Sequence, residues 1–178
     1  MVPPIKNTRN SFLLAQVGAH AARRYAERLS ALQLVPAHSG ILRMLAIEPE
    51  ISQRELASRL GMHASRLVAV IDEMETMGLL VRGSNANDRR SYSLSITPAG
   101  QQKLAEVTTV SREHDEAICE ALNADERQML ASLLQRIANQ QGLAPGVHPG
   151  YRNLGGRPGP PSSPSGTPAR TKKPGNTS

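Results

Sequence analysis

The sequence predicts a mainly α-helical domain with one small β-hairpin, in the order α-α-α-α-β-β-α-α. Three observations lead there. Apolar residues recur at helical spacing between capping residues and glycines over most of residues 11–140. A short capped stretch, a glycine and a longer amphipathic stretch follow one another over residues 52–77, which is the pattern of a helix-turn-helix. Between Leu79 and Gly100, two strand-like runs flank a polar loop that ends in adjacent arginines behind an aspartate. A hairpin directly after such a helix pair makes the unit a winged helix-turn-helix.

The elements read in order as follows. Ser11 to about Ser30 is rich in Ala, Leu, Arg and Gln, with Leu14, Val17 and Ala21 on one side. Pro36 opens a second helix to about Ala46, in which Ile41, Leu42 and Leu45 are apolar. Ser52 and Glu55 have capping-box spacing and start a short third helix that Gly61 ends after Leu60. A fourth helix from about His63 to Met77 has Leu67, Val70, Ile71 and Met74 as its core face, and Gly78 stops it. In the second strand-like run Tyr92, Leu94 and Ile96 alternate with Ser91, Ser93 and Ser95, as a half-buried strand requires. Thr97-Pro98 caps a long fifth helix to about Ala121, and Asn123 with Glu126 starts a sixth to about Gln140. The terminal helices have too little partner surface within one chain, so their expected partners are the same helices of a second copy.

The charge divides unevenly. Of the 21 Lys+Arg, 16 lie in residues 1–141 together with all 15 acidic residues, so the folded part carries only +1 of the formal +6. Residues 142–178 hold the other five cations, Arg152, Arg157, Arg170, Lys172 and Lys173, and no acid. That stretch is mostly Gly, Pro, Ser and Thr with hardly any core-forming residue, and is expected to be a disordered basic tail able to touch phosphates without sequence preference. Any nucleic-acid role of the folded part therefore rests on where its arginines lie, not on their number.

Composition closes several functional classes. The single cysteine, Cys119, excludes an internal disulfide framework and a Cys-rich zinc site. No run approaches the roughly 18 apolar residues of a membrane span, and no signal-peptide hydrophobic region stands at the start, so a cytoplasmic location is expected. Four aromatic residues, Phe12, Tyr25, Tyr92 and Tyr151, are too few for a surface that stacks single-stranded bases. No cofactor or metal set is expected.

The candidate binding residues follow from the fourth helix. The side facing away from its core face carries Met62, Ser65, Arg66, Ala69, Asp72, Glu73 and Thr76. Its first two turns are small or cationic and its third is acidic, so it suits entry into a major groove by its N-terminal end. Ser65 and Arg66 are the candidates for base-edge contact, with His63 beside them; an arginine can bond guanine O6 and N7 together. Around Ser52, Gln53 and Arg54 the third helix offers free amides and a positive dipole end to a phosphate. In the loop Asn85–Arg90, Arg90 is the candidate for minor-groove insertion, Asp88 for holding its guanidinium, and Arg89 for a phosphate. An Asp-Arg-Arg turn taken alone also fits a solvated surface hairpin.

With these residues in place the chain resembles the multiple antibiotic resistance regulator (MarR) family of dimeric winged-helix transcription regulators. The resemblance is carried by SQRELASRLGMHASRLVAVIDEMETMGLLVR and NDRRSYSLSITPAG, and is strong from about Leu32 to Leu104. It implies a MarR-like domain over residues 1–141, with dimerisation helices in 1–34 and 98–141 and a DNA-binding lobe in 35–97, followed by the tail 142–178. It further implies a homodimer on a pseudo-palindromic duplex operator, wing roles for Asp88 and Arg90, and a small aromatic or phenolic effector between the dimer helices and the DNA-binding lobe. His20, Tyr25, His38 and Arg43 lie in the right helices for such a pocket but are not assigned to it. Many members have a Thr-Arg pair where this chain has Val68-Ala69, so that arginine's phosphate contact is missing, with Arg66 one turn earlier.

Two rival classes compete with this reading. An enzyme would need a constellation such as His114 with Cys119, but five residues on a helix set them about 140° apart. A winged helix used only for protein–protein contact is left open by the near-neutral folded part. The favoured expectation is a non-enzymatic repressor of transcription, relieved by a small molecule.

Overall fold

The computed structural model describes residues 9–84 and 92–148. In chain order the elements are α1 (Asn10–Ser30), α2 (Pro36–Ile47), β1 (Ile51–Ser52), α3 (Gln53–Leu60), α4 (Ala64–Thr76), β2 (Leu80–Ser84), β3 (Tyr92–Ile96), α5 (Pro98–Ile118) and α6 (Ala124–Gln140). The six helices and the hairpin are those expected. The added element is β1, whose two residues pair Ile51 with Leu94 and Ser52 with Ser93, making β3 the centre of an antiparallel sheet ordered β1-β3-β2. Two residues are too few to show a period in sequence.

Placing β3 in the centre also changes its faces. Leu94 is buried as expected, but Tyr92 is exposed and Ser93 is buried. A serine fits there because Gly83 lies opposite it on β2: a Cβ at Gly83 would stand 3.2 Å from the Ser93 hydroxyl. Met62, expected on the outer side of α4, is buried instead. It follows the left-handed Gly61, and its N–H donates to the Ala57 carbonyl at 3.0 Å, which turns the chain and its side chain inward.

The core gathers Leu29, Ile41, Leu42, Leu45, Leu56, Leu60, Leu67, Ile71, Met74, Leu80, Leu94 and Val107, so α1, α2 and α5 share one interior with the helix-turn-helix and the sheet. Capping is uneven. Asn123 and Glu126 form the full reciprocal box at α6, whereas Ser52 accepts from the Glu55 N–H at α3 without the return bond, because Glu55 turns to Arg59. Cys119 caps the end of α5 and is half-buried rather than part of the core.

α6 differs from the rest. None of its residues is buried within the chain. Leu130, Leu133, Leu134 and Ile137, spaced as one helical face, are all exposed, as are Phe12, Leu13, Leu14 and Val17 on α1. No helix among the described residues is long and apolar enough to cross a membrane.

Candidate nucleic-acid interface

The α3–turn–α4 unit is held by its own sequence. Ser52 caps α3 through a 3.1 Å bond from the Glu55 N–H, and Gly61, at φ 61°, closes the helix in the left-handed conformation that favours glycine. His63 then stands at the N-cap of α4 with its side chain free of the cap and exposed. Its carbonyl receives the Arg66 and Leu67 amides at 3.1 and 3.0 Å. Ser65 and Arg54 are exposed, while Gln53 and Arg66 are half-buried. The Arg66 Nε is shielded from solvent and has no hydrogen-bond partner among the described residues. The Glu55 N–H is spent on the Ser52 cap, which leaves one fewer free amide at the α3 start. The wing residues Asp88, Arg89 and Arg90 lie outside the described residues.

Electrostatics distinguish the two ends of α4. At its C-terminal end, Arg82 of β2 reaches back and pairs with Asp72 and Glu75, and its backbone N–H donates to Glu75 Oε1 at 3.3 Å. Burial pushes the Arg82 guanidinium down, but the bond to Asp72 and the charge of Glu75 outweigh it, so its pKa is raised and the charge stays. Glu73 lies 3.3 Å from Nε2 of the buried His38, off the axis a hydrogen bond needs. On its other side the His38 ring accepts the Val35 N–H at Nδ1, at 3.4 Å. Arg23, Arg24 and Arg59 are paired with Glu27, Glu48 or Glu55. Arg54 and Arg66 have no carboxylate in ion-pair range among the described residues. The acids of α4 are thus drawn back, and two uncompensated guanidinium groups stand at the starts of α3 and α4.

A cavity of about 610 Å³ opens behind this unit, between α1, α2 and α5. Tyr25, Ser39, Arg43, Ser111 and His114 supply its polar wall, and Ala21, Ala22, Met44, Ile47 and Leu60 its apolar one. Ser111 ties the polar wall together. Its hydroxyl receives Arg43 Nη2 at 2.6 Å, lies 3.1 Å from the Tyr25 hydroxyl, and donates to the Val107 carbonyl at 2.7 Å. The Tyr25 and His114 rings are 5.3 Å apart at a 42° tilt. Burial lowers the His114 pKa, with the Arg28 charge adding to it, and its Nδ1 has no hydrogen-bond partner among the described residues. Arg43 has only the Ser111 hydroxyl, with no carboxylate in ion-pair range among the described residues.

Comparison with known proteins decides the family. The family model described as MarR family matches residues 32–91. A putative transcriptional regulatory protein for the hcr operon of Thauera aromatica is 32% identical over 126 residues, covering 70% of this chain and 76% of that one. The chain belongs to the MarR family. Among solved structures, the transcriptional repressor CouR bound to a 23-mer DNA duplex is 30% identical, with a TM-score of 0.66 over 73% of this chain and 92% of that one. Wild-type MarR from E. coli shares the fold at 22% identity, with a TM-score of 0.67 over 74% and 98%. MarR-family proteins are transcriptional regulators, not enzymes.

In this MarR-family chain Arg54 lies in the first turn of α3, and His63, Ser65 and Arg66 lie at the start of α4. The pairing of Arg82 with two acids, and Ser111 as the point where α1, α2 and α5 meet, have no local sequence signature. Of the four residues named for the pocket, Tyr25 and Arg43 line the cavity. His38 is buried against Glu73, and His20 is on the outer surface of α1 beside Arg23.

Proposed function

We propose that this MarR-family chain works as a homodimer on a pseudo-palindromic operator in duplex DNA, represses transcription, and releases when a small aromatic or phenolic molecule fills the cavity between α1, α2 and α5. The observation that carries the DNA reading is the charge pattern of α3, α4 and β2: Asp72 and Glu75 tied to Arg82, with Arg54 and Arg66 left uncompensated. In this reading Ser65, Arg66 and His63 meet base edges, Ser52, Gln53 and Arg54 meet a phosphate, and Arg90, set by Asp88, enters the minor groove with Arg89 at the backbone. The cavity suits the effector because it touches α2, and α2 also carries His38 against Glu73 of α4. A ligand favouring a different setting of α2 therefore shifts the population of dimers whose recognition helices match the operator.

The test is selection of fragments from the source genome by purified protein, followed by footprinting. The expected result is a pseudo-palindrome with half-sites about one helical turn apart. If Arg54 and Arg89 each neutralise a phosphate on both half-sites, affinity should fall about a hundredfold between 50 and 200 mM salt. Enrichment of nothing at either salt would instead favour a winged helix that binds protein, which the near-neutral charge of residues 1–141 permits.

Arg82→Ala separates charge neutralisation from direct contact. It should cost about 1 kcal/mol of stability, since both acids it pairs are substantially exposed. It should also weaken operator binding about tenfold, because two carboxylates then face phosphates unpaired. Anisotropy titration with a melting curve reads both; a variant that binds as tightly as the parent would remove Arg82 from the interface account.

A further inference from the structure

The segment that follows α6 does not run away from the molecule. Gly142, at φ 66°, ends the helix, and the Leu143 N–H donates back to the Ala138 carbonyl at 3.0 Å, which reverses the chain. A second turn follows, closed by the Val147 N–H to the Ala144 carbonyl at 3.3 Å, with Gly146 at φ 71°. The turn seats Val147, half-buried, against the main core. It also brings Pro145, Gly146 and His148 to the rim of the cavity, across from Tyr25, Arg43 and Ser111. These residues lie outside the stretch matched by the family model, residues 32–91.

We propose that Gly142–His148 is a strap that forms the outer wall of the effector site, so that ligand fit and residence are set by the chain's own C-terminal segment. The inference rests on the cavity being the effector site. Three of its features are built for the task. Val147 is the anchor, since it is the one strap residue packed on the core. Gly146 permits a turn that a side chain would strain, its φ lying in the left-handed region. Pro145 and His148 then present a rigid ring and an imidazole to whatever fills the cavity. Without the strap, the space beside Pro36 and Gly40 would open to water on that side, and a bound apolar molecule would lose contact with that wall.

The experiment uses the full chain and the fluorescent dye anilinonaphthalene sulfonate, an aromatic anion, as the probe. Val147→Asp removes the anchor, Gly146→Ala strains the turn, and Ala22→Phe fills the cavity from the α1 side without touching the strap. Both strap variants should bind the dye about tenfold more weakly than the parent, the loss expected when roughly one valine-sized apolar wall is withdrawn. Their operator affinity should stay within about twofold, since neither residue lies on the α3–α4 unit. Ala22→Phe should weaken the dye at least as much. If Ala22→Phe weakens the dye and both strap variants bind it like the parent, the strap is no wall of the site and the proposal is overturned. If Ala22→Phe also binds the dye like the parent, the cavity itself takes no such ligand, and the effector reading falls together with the strap.

Discussion

Gly100→Ala is expected to destabilise the protein by about 3 kcal/mol, the upper end of overpacking costs, and to lower its melting temperature by roughly 10 °C. A Cβ built on Gly100 would lie 2.0 Å from the Leu79 carbonyl oxygen and 2.8 Å from Ile96 Cγ1. The first neighbour is backbone and cannot rotate away. It is also in use, since the Leu79 carbonyl accepts the Thr97 N–H at 3.1 Å. Thr97 in turn donates its hydroxyl to the Gly78 carbonyl at 2.6 Å and accepts the Gly100 N–H at 3.0 Å. The start of α5 is therefore clamped to the end of the recognition-helix turn, and a methyl group must prise the two apart. Because that clamp fixes how α5 meets the helix-turn-helix and its sheet, operator affinity should fall with stability. Urea unfolding monitored by circular dichroism checks the first part. A loss below about 1 kcal/mol would mean that α5 can shift without cost, against the dense packing of protein interiors.

The parts of this fold that were legible in sequence are those written in local chemistry. Gly61 and Gly78 stop α3 and α4 because the positions require positive φ, and Thr97-Pro98 and Asn123 with Glu126 start α5 and α6 through bonds made within four residues. What was not legible depends on neighbours distant in sequence. Ser93 is buried because β1 and β2 flank it on both sides, whereas Tyr92, which alternates with it and shares a side with the buried Leu94, is exposed at the start of the strand. The ion pairs of Arg82 with Asp72 and Glu75 appear only once the fold sets β2 beside α4. Ser111 carries no sequence signal at all: its role comes from the convergence of α1, α2 and α5, in which Tyr25 and Arg43 arrive from 86 and 68 residues away. The candidate DNA contacts divide in the same way. Arg54, Ser65 and Arg66 follow from helix position alone, whereas their electrostatic freedom is a property of the whole lobe.

The second large effect concerns the face that the protomer leaves bare. Replacing Leu133 and Ile137 together by Glu is expected to convert the protein to monomers and to weaken operator binding at least about a hundredfold, the range lost when two linked half-site contacts become independent. The argument starts from α6 itself. A 17-residue helix with no buried residue gains little from the rest of its chain, although most helical stability in proteins comes from packing an amphipathic face. Yet Leu130, Leu133, Leu134 and Ile137 repeat on one face, each 36–44% exposed, a stripe that is favourable only once water is removed from it. The matching apolar surface is on α1, where Phe12, Leu13, Leu14 and Val17 are exposed in the same way. Two copies related by a two-fold axis would cover both sets at once, which is the economical closed solution for a self-complementary patch. Glutamates at 133 and 137 place two unpaired charges per chain in that contact, and desolvating them opposes association. Sedimentation reads the oligomeric state, and anisotropy on full and half operators reads the coupling. A monomeric parent, or a double variant that binds the full operator as tightly as the parent, would remove the dimer from the mechanism, because one recognition helix alone has no means of measuring half-site spacing.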